Sequence, residues 1–129
     1  MTVLLDTQVW LWMLAAPDRL SPTSRSLVTA PDTELLFSAA SAWEIAIKYA
    51  LGKVRLLDAP SLLIPGLMTK TGVTPLAVLH RHALHVATLP AHHRDPFDRL
   101  LVAQAQLERV PILTADRSFS RYEVEMLAA

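Results

Sequence analysis

The side chains of this sequence that are best suited to chemistry are four carboxylates. They are Asp6, Glu44, Asp98 and Asp116. Asp6 and Asp116 each come at the end of an apolar run that is typical of a buried strand, and open parallel sheets bind ligands beyond the carboxyl ends of their strands. Two unit charges about 5 Å apart repel by roughly 3 kcal/mol at an effective dielectric of 20. Four acids in one pocket therefore require raised pKa values or bound cations.

The chemistry of such a cluster indicates a hard divalent cation. All-oxygen ligation favours Mg²⁺, with Mn²⁺ as a substitute, and the sequence has no cysteine that could supply a thiolate ligand. A site of this kind suits the hydrolysis of phosphodiesters, in which metal ions activate water and stabilise the leaving oxygen. We therefore expect metal-dependent hydrolysis that needs no side-chain nucleophile.

The acids at the start of one helix also have an ordinary structural interpretation. Asp95 suits the N-cap, Pro96 suits the first helical position, and Asp98 lies where an acid meets free N–H groups. At helical spacing, however, Asp98 shares a face with Val102 and Ala105, so its face is not a clearly solvated one.

The other three acids have comparable structural alternatives. Glu44 stands alone in an apolar segment and can form an i,i+4 ion pair with Lys48. Asp6 and Asp116 can be caps at strand ends. The sequence leaves both interpretations open for each residue.

Apolar runs alternate with helical patterns along the whole chain, which predicts parallel pairing with helices on both faces of a sheet. We expect one domain over residues 1–129, an α/β/α three-layer sandwich with a mainly parallel sheet of about five strands. The predicted strands are 2–5, 34–38, 73–78, 112–114 and 123–128, with a brief extended piece at 53–57. The predicted helices are 9–16, 22–29, 39–51 closed by Gly52, 59–70, which Pro65-Gly66 interrupts, 79–88 and 95–109.

Composition limits the classes of protein that need to be considered. The chain has 129 residues, of which 52% are hydrophobic and 19% charged, so an intrinsically disordered protein is excluded. Its formal net charge of zero argues mildly against a nucleic-acid partner, unless some acids belong to a metal site. No stretch is long enough to span a membrane, no basic region precedes the first apolar run, and cysteine is absent. We expect a cytoplasmic protein.

Four segments together resemble the VapC-type toxins of the PIN-domain family. They are Val3-Leu4-Leu5-Asp6-Thr7, Ser41-Ala42-Trp43-Glu44-Ile45-Ala46-Ile47-Lys48, His92-His93-Arg94-Asp95-Pro96-Phe97-Asp98-Arg99-Leu100-Leu101-Val102-Ala103-Gln104-Ala105 and Thr114-Ala115-Asp116. The resemblance covers nearly the whole chain in the expected order. It implies a PIN-like fold with a five-stranded parallel sheet between helices, Mg²⁺-dependent RNA cleavage, a VapB-type antitoxin as partner and a homodimer.

The resemblance also implies roles for individual residues. The metal-binding acids would be Asp6, Glu44, Asp98 and Asp116, with Thr7 and Thr114 as nearby polar helpers. The first three acids would hold the principal metal ion, and Asp116 would bind it through water or assist a second ion. Arg94 and Arg99 flank the site and can hold phosphates or be ordinary surface arginines.

Two other functions stay open at this point. A phosphorylatable receiver-type signalling module has similar length and alternation, but it requires adjacent acids after the first strand and a lysine late in the chain. Here Asp6 is single and no lysine follows Lys70. A zinc hydrolase would instead use the histidines, although they form no His-Glu-x-x-His pattern; they are His80, His82, His85, His92 and His93.

The sequence contains more large apolar side chains than a core of this size clearly needs, and two locations are possible for them. Trp10, Trp12, Leu56 and Leu57 either fill a generous core or form a surface for a second copy or an antitoxin helix.

Overall fold

A five-stranded parallel sheet forms the centre of the molecule. The structure is a computed structural model, and it describes residues 1–91 and 95–129. The strand order is β3-β2-β1-β4-β5, and the pairing is parallel throughout. The strands are β1 (Thr2–Leu5), β2 (Glu34–Ser38), β3 (Thr74–Leu76), β4 (Ile112–Thr114) and β5 (Met126–Ala128). The predicted α/β class and sheet are confirmed.

Six α-helices are present in the described part of the chain. They are α1 (Thr7–Ala15), α2 (Pro22–Thr29), α3 (Ala39–Ala50), α4 (Pro60–Thr71), α5 (His80–His85) and α6 (Pro96–Glu108). Short 3₁₀ segments occur at Pro17–Arg19, Val86–Thr88 and Arg117–Arg121. In the described residues, no helix combines the length and the apolar character that crossing a membrane requires.

Alternate residues of the strands face two separate cores. In β1, Val3 and Leu5 belong to an apolar cluster with residues of α1, α2, α3 and α4. Leu4, which points to the other face, belongs to a second cluster with residues of α6. All three side chains are fully buried. The sheet is therefore covered on both faces, as a three-layer sandwich requires.

Local sequence signals mark the starts of α3 and α6 and the end of α3. The Ser38 hydroxyl accepts a hydrogen bond from the Ala40 N–H (3.0 Å) at the start of α3. Asp95 caps α6 by accepting from the Phe97 N–H (2.9 Å). Gly52 follows α3 with a φ of +72°, a left-handed conformation that glycine adopts without strain.

Several predicted elements differ in extent. Residues 53–57 form no strand, and the strands predicted at 73–78 and 123–128 are reduced to three residues each. The helix predicted at 79–88 becomes α5 followed by a 3₁₀ turn. Helix α4 continues through Pro65 because Ile64 and Leu67 pack into the core while Pro65 and Gly66 face outward.

The tryptophan surface that the sequence allowed is absent around Trp10. Its ring is 1% exposed and packs against Phe37 with ring centroids 4.3 Å apart. Its indole N–H donates to the Thr71 hydroxyl at 3.1 Å. Trp12 is half-buried beneath the guanidinium of Arg19. The core therefore absorbs Trp10, whereas Leu57 of the same predicted set is fully exposed. The other large exposed apolar side chains of the described residues are Met1, Trp43, Leu51, Leu62, Leu79 and Leu84.

A buried glutamine connects α6 to the start of α3. The Gln104 side chain is fully buried, and its Oε1 accepts a hydrogen bond from the Ser38 hydroxyl at 2.5 Å. Its Nε2 donates to the Ala77 carbonyl (3.2 Å) and lies 3.3 Å from His82 Nδ1. Because α3 and α6 both carry acids of interest, this contact holds together the elements that position them.

We expect Gln104→Leu to lower the free energy of unfolding by roughly 2–4 kcal/mol. Leucine fills nearly the same volume but leaves several buried partners of the amide without a hydrogen bond, at about 1–3 kcal/mol each. Urea denaturation measures the effect. Gln106→Leu is the matched control, because Gln106 is only half-buried and should cost less than about 1 kcal/mol. Equal losses in the two variants would contradict the assignment.

Candidate active site

Two of the four acids meet because the central strands end side by side. Leu5 of β1 pairs with Leu113 of β4, and the Asp6 N–H donates to the Leu113 carbonyl at 3.0 Å. The Thr114 hydroxyl donates to Asp6 Oδ2 at 2.7 Å within a buried environment. Asp116 follows two residues later at the same edge, and its N–H donates to the Thr114 hydroxyl at 3.0 Å.

Helix packing brings the other two acids to this edge. Helix α3 starts directly after β2 and carries Glu44, which is only 6% exposed. Asp98 lies in the first turn of α6, which packs against α3. The four acids line one cleft of about 350 Å³. The described residues around it are Asp6, Thr7, Gln8, Leu11, Glu44, Ile45, Lys48, Val54, Asp95, Asp98, Ala115 and Asp116.

The structural interpretations of Glu44, Asp98 and Asp116 are realised as well, whereas the Asp6 side chain makes no capping hydrogen bond at the start of α1. Lys48 Nζ lies 2.5 Å from Glu44 Oε2 as the i,i+4 pair. Asp116 Oδ1 accepts from the Ser118 N–H (2.9 Å) and the Ser118 hydroxyl (2.7 Å), so it caps the following 3₁₀ turn. Asp98 itself is the first-turn acid of α6. The same acid can therefore make a local capping or pairing contact and also line the cleft.

Burial and mutual repulsion perturb the acids in the cleft. Burial, followed by the charges of Asp6, Asp95, Glu44 and Asp116, raises the pKa of Asp98 to about 8. The pKa of Asp6 is raised chiefly by burial, against the opposing hydrogen bond from Thr114. The pKa of Lys48 is raised mainly by its hydrogen bond to Glu44. The cleft thus concentrates negative charge, which favours a cation.

The residues named as helpers have different surroundings. Thr7 lines the cleft, is buried, and donates to the Ser41 hydroxyl at 2.8 Å. Thr114 orients Asp6 through the hydrogen bond described above. The Arg99 guanidinium donates to the carbonyls of Pro90 (2.8 Å) and Val86 (3.2 Å), so it braces the chain before α6 and does not line the cleft. Arg94 lies outside the described residues.

The donor chemistry of the cleft fits a hard divalent cation. Its acidic groups supply oxygen ligands, and Glu44 Oε1 is buried with no hydrogen-bond partner among the described residues. Within residues 1–91 and 95–129, no three His, Asp or Glu side chains close on a common point tightly enough to hold an ion. Binding of an ion would therefore require side-chain movements that bring the carboxylates closer together.

The histidines of α5 are held by other contacts. His82 is fully buried, with Nδ1 accepting from the Leu79 N–H at 3.0 Å. His85 Nε2 lies 2.7 Å from Gln106 Oε1. The described histidines therefore do not assemble the zinc site that the sequence left open, and His92 and His93 lie outside the described residues.

Asp95, for which the sequence predicts only a helix cap, is a fifth acid of the cleft. Asp95 lines the cleft while its carboxylate caps α6. Its i,i+3 spacing from Asp98 was the available signal, because residues three apart share a helix face. Gln8 and Val54 also line the cleft, and no pattern in the sequence indicated them.

Comparison with known proteins agrees with this architecture. Ribonuclease VapC16 of Mycobacterium tuberculosis is 41% identical over 70 residues, which are 54% of this chain and 49% of that protein, so the match spans about half the length of the relative. The crystal structure of VapBC2 from Rickettsia felis bound to a promoter DNA fragment matches with a TM-score of 0.73 at 12% identity, covering 99% of this chain and 98% of that one. The DNA-bound VapBC of Salmonella typhimurium has a TM-score of 0.70 at 14% identity, with coverage of 99% and 98%. The family model of the PIN domain matches residues 3–125. The chain therefore belongs to the PIN domain family.

Proposed function

We propose that this protein is a metal-dependent endoribonuclease and the toxin of a toxin–antitoxin pair. The observation that carries the proposal is the convergence of five carboxylates on one cleft at the carboxyl edge of a PIN-domain sheet. Its named relative, a ribonuclease, and the VapBC complexes of the same fold support the same function. We take residues 1–129 as one functional unit, acting in the cytoplasm where RNA is available.

We assign metal-binding roles to four of the five acids, in agreement with their burial and contacts. Asp6, Glu44 and Asp98, which are buried or half-buried, hold the principal cation, which we propose to be Mg²⁺ with Mn²⁺ as a substitute. Asp116 is exposed and caps a turn, so it binds through water or assists a second ion. When bound, the ion supplies Lewis acidity to the phosphate and lowers the pKa of the attacking water.

The side chains around the acids prepare the cleft for this chemistry. Thr114 fixes the rotamer of Asp6, and Ser41 holds Thr7 beside it. Leu11, Ile45 and Val54 form apolar walls that limit water and strengthen electrostatic interactions in the cleft. These groups orient the acids, and the described lining residues offer no serine or cysteine as a nucleophile.

We further propose two protein partners, a VapB-type antitoxin and a second copy of the chain. The exposed ring of Trp43 and the exposed Leu51, eight residues apart on and just after α3, extend an apolar strip along the outside of that helix. A surface of this kind suits a protein interface better than open solvent. The VapBC complexes that share the fold support the antitoxin as one of the two partners.

The function is tested by incubating the purified protein with single-stranded and structured RNAs in Mg²⁺ and in EDTA. We expect internal cleavage in Mg²⁺ that stops in EDTA and returns with Mn²⁺. Mapping the new 5′ ends identifies the cleavage site. Cleavage that persists undiminished in EDTA would contradict the metal-dependent mechanism.

The metal assignment is tested without any substrate. We expect calorimetric Mn²⁺ binding to weaken by at least about a hundredfold in the double variant Asp6→Asn, Asp98→Asn, because two anionic ligands are removed from a hard cation. The control is Asp18→Asn, Asp32→Asn, which removes the same charge from exposed residues outside the cleft. Equal Mn²⁺ affinity in the two double variants would disprove the assignment.

A further inference from the structure

Lys48 is the one cationic side chain among the described residues that line the acidic cleft. Its ammonium lies 2.5 Å from Glu44 Oε2, in a cleft that also contains Asp6, Asp95 and Asp98. The lysine thus supplies a positive charge at the position where the acids would otherwise face one another without a counterion.

The two partners of this ion pair differ in burial. The side chain of Glu44 is 7% exposed, whereas that of Lys48 is 48% exposed. The second oxygen of Glu44 is buried without a hydrogen-bond partner in the described part of the chain. The carboxylate is therefore fixed in place with one oxygen still to be satisfied, while the lysine has a long flexible stem with access to solvent.

A divalent cation on Glu44 would compete with the ammonium of Lys48 for the same carboxylate. Both positive groups would share one carboxylate within a few ångströms and repel each other strongly. Lysine can leave at low cost, because its charge sits on four rotatable methylenes and it is hydrated well outside the cleft. Once a cation has neutralised the acids, the ammonium of Lys48 can pair instead with an anion at the mouth of the cleft.

We propose that Lys48 is an exchangeable counterion and a phosphate-positioning residue, which pairs with Glu44 in the metal-free protein and moves to an RNA phosphate when a divalent cation takes its place. This inference rests on the proposed ribonuclease function. Lys48 then binds RNA only when the metal ion is present, so the ion promotes RNA binding in addition to the role of the ion in the reaction. A lone ammonium suits a phosphate as a point charge without base specificity.

If Lys48 exchanges in this way, one variant should bind Mn²⁺ more tightly and RNA more weakly than the wild-type protein. Lys48→Met keeps the stem and removes the charge, so Mn²⁺ binds up to about fivefold more tightly because its competitor is gone. RNA binding in the presence of Mn²⁺ weakens about tenfold, as expected for a lost contact to a charged phosphate. The dependence of RNA binding on salt also becomes shallower by about 0.7 in log–log slope, the value for one phosphate contact of a single strand.

The experiment uses the full chain and two controls. Lys70→Met removes the same charge from the exposed last turn of α4, and Lys48→Arg keeps the charge in the cleft. Calorimetry with Mn²⁺ alone measures the first effect. Fluorescence anisotropy with a short single-stranded RNA, checked by gel to remain intact, measures the second across a series of salt concentrations. Circular dichroism establishes that each variant is folded.

We expect opposite changes in Lys48→Met, near wild-type values in Lys48→Arg and a generic small loss of RNA affinity in Lys70→Met. Equal Mn²⁺ affinity in the two methionine variants would overturn the exchange. Equal salt slopes in those two variants would overturn the phosphate contact. Neither arm uses cleavage, so a protein that fails to cut RNA would refute the ribonuclease function while both arms still decide the role of Lys48.

Discussion

Replacing Glu44 with glutamine should reduce RNA cleavage by about a thousandfold or more while leaving the protein folded. Glu44 is buried and lines the cleft, so its charge acts within the cleft. The amide keeps the shape but removes a negative ligand, and several kcal/mol of transition-state stabilisation by a cation correspond to at least three powers of ten in rate. Single-turnover cleavage of an RNA that the wild-type protein cuts is the measurement.

The fold should tolerate this substitution because it removes one stabilising and one destabilising interaction, whose effects on the free energy of unfolding oppose each other. Glutamine gives up the ion pair with Lys48, but it also removes the repulsion between Glu44 and Asp98. Glu34→Gln is the matched control, since Glu34 is an exposed acid at the start of β2, at the opposite edge of the sheet. Cleavage by Glu44→Gln at the rate of this control would contradict the role of Glu44.

The stability of the metal-free protein should fall as the pH rises from about 4 to about 8. Burial, as the largest cause, raises the pKa of Asp98 to about 8 in the folded protein, against 3.8 for an aspartate exposed to water. The folded state therefore binds a proton that the unfolded state has released across this window, and the free energy of unfolding decreases with rising pH. Allowing for solvent screening of a half-buried group, we expect a loss of roughly 2–4 kcal/mol.

Asp98→Asn should flatten this dependence and leave the metal-free protein more stable than wild type at pH 8. Urea denaturation in EDTA at pH 5, 6, 7 and 8 measures the trend, with the exposed Asp32→Asn as the control. A residual slope should remain, because burial also raises the pKa of Asp6. Added Mn²⁺ should restore stability to the wild-type protein at pH 8, since a cation favours the ionised acids. Identical slopes in Asp98→Asn and wild type would show that another group is responsible.

The sequence by itself determined the sheet, the covered faces and the edge at which the acids gather. Apolar runs of strand length that alternate with helical patterns leave few alternatives to a parallel sheet, because parallel strands need crossover connections. Parallel strands in turn place their carboxyl ends at one edge, so Asp6 and Asp116 had to be neighbours once β1 and β4 paired. The cap at Asp95 and the helix end at Gly52 were equally readable, since each depends on residues within one turn.

Only the tertiary structure decided which side chains are buried in the core and which line the cleft. Trp10 and Trp12 lie in the same helix, yet the contact with Phe37 from β2 buries the first, while the second stays half-exposed near Arg19. Likewise, the carbonyls of the segment before α6 occupy Arg99, although its sequence position beside Asp98 suggested a phosphate ligand.

The same distinction applies to Lys48 and Asp95. Sequence spacing allowed Lys48 to pair with Glu44 and Asp95 to cap α6, and both contacts exist. That both residues also line the acidic cleft depends on how α3 packs against α6, which brings together side chains about 50 residues apart. Local periodicity identifies which residues share a helix face, but contacts between distant segments determine what that face meets, and these are formed only by the folded chain.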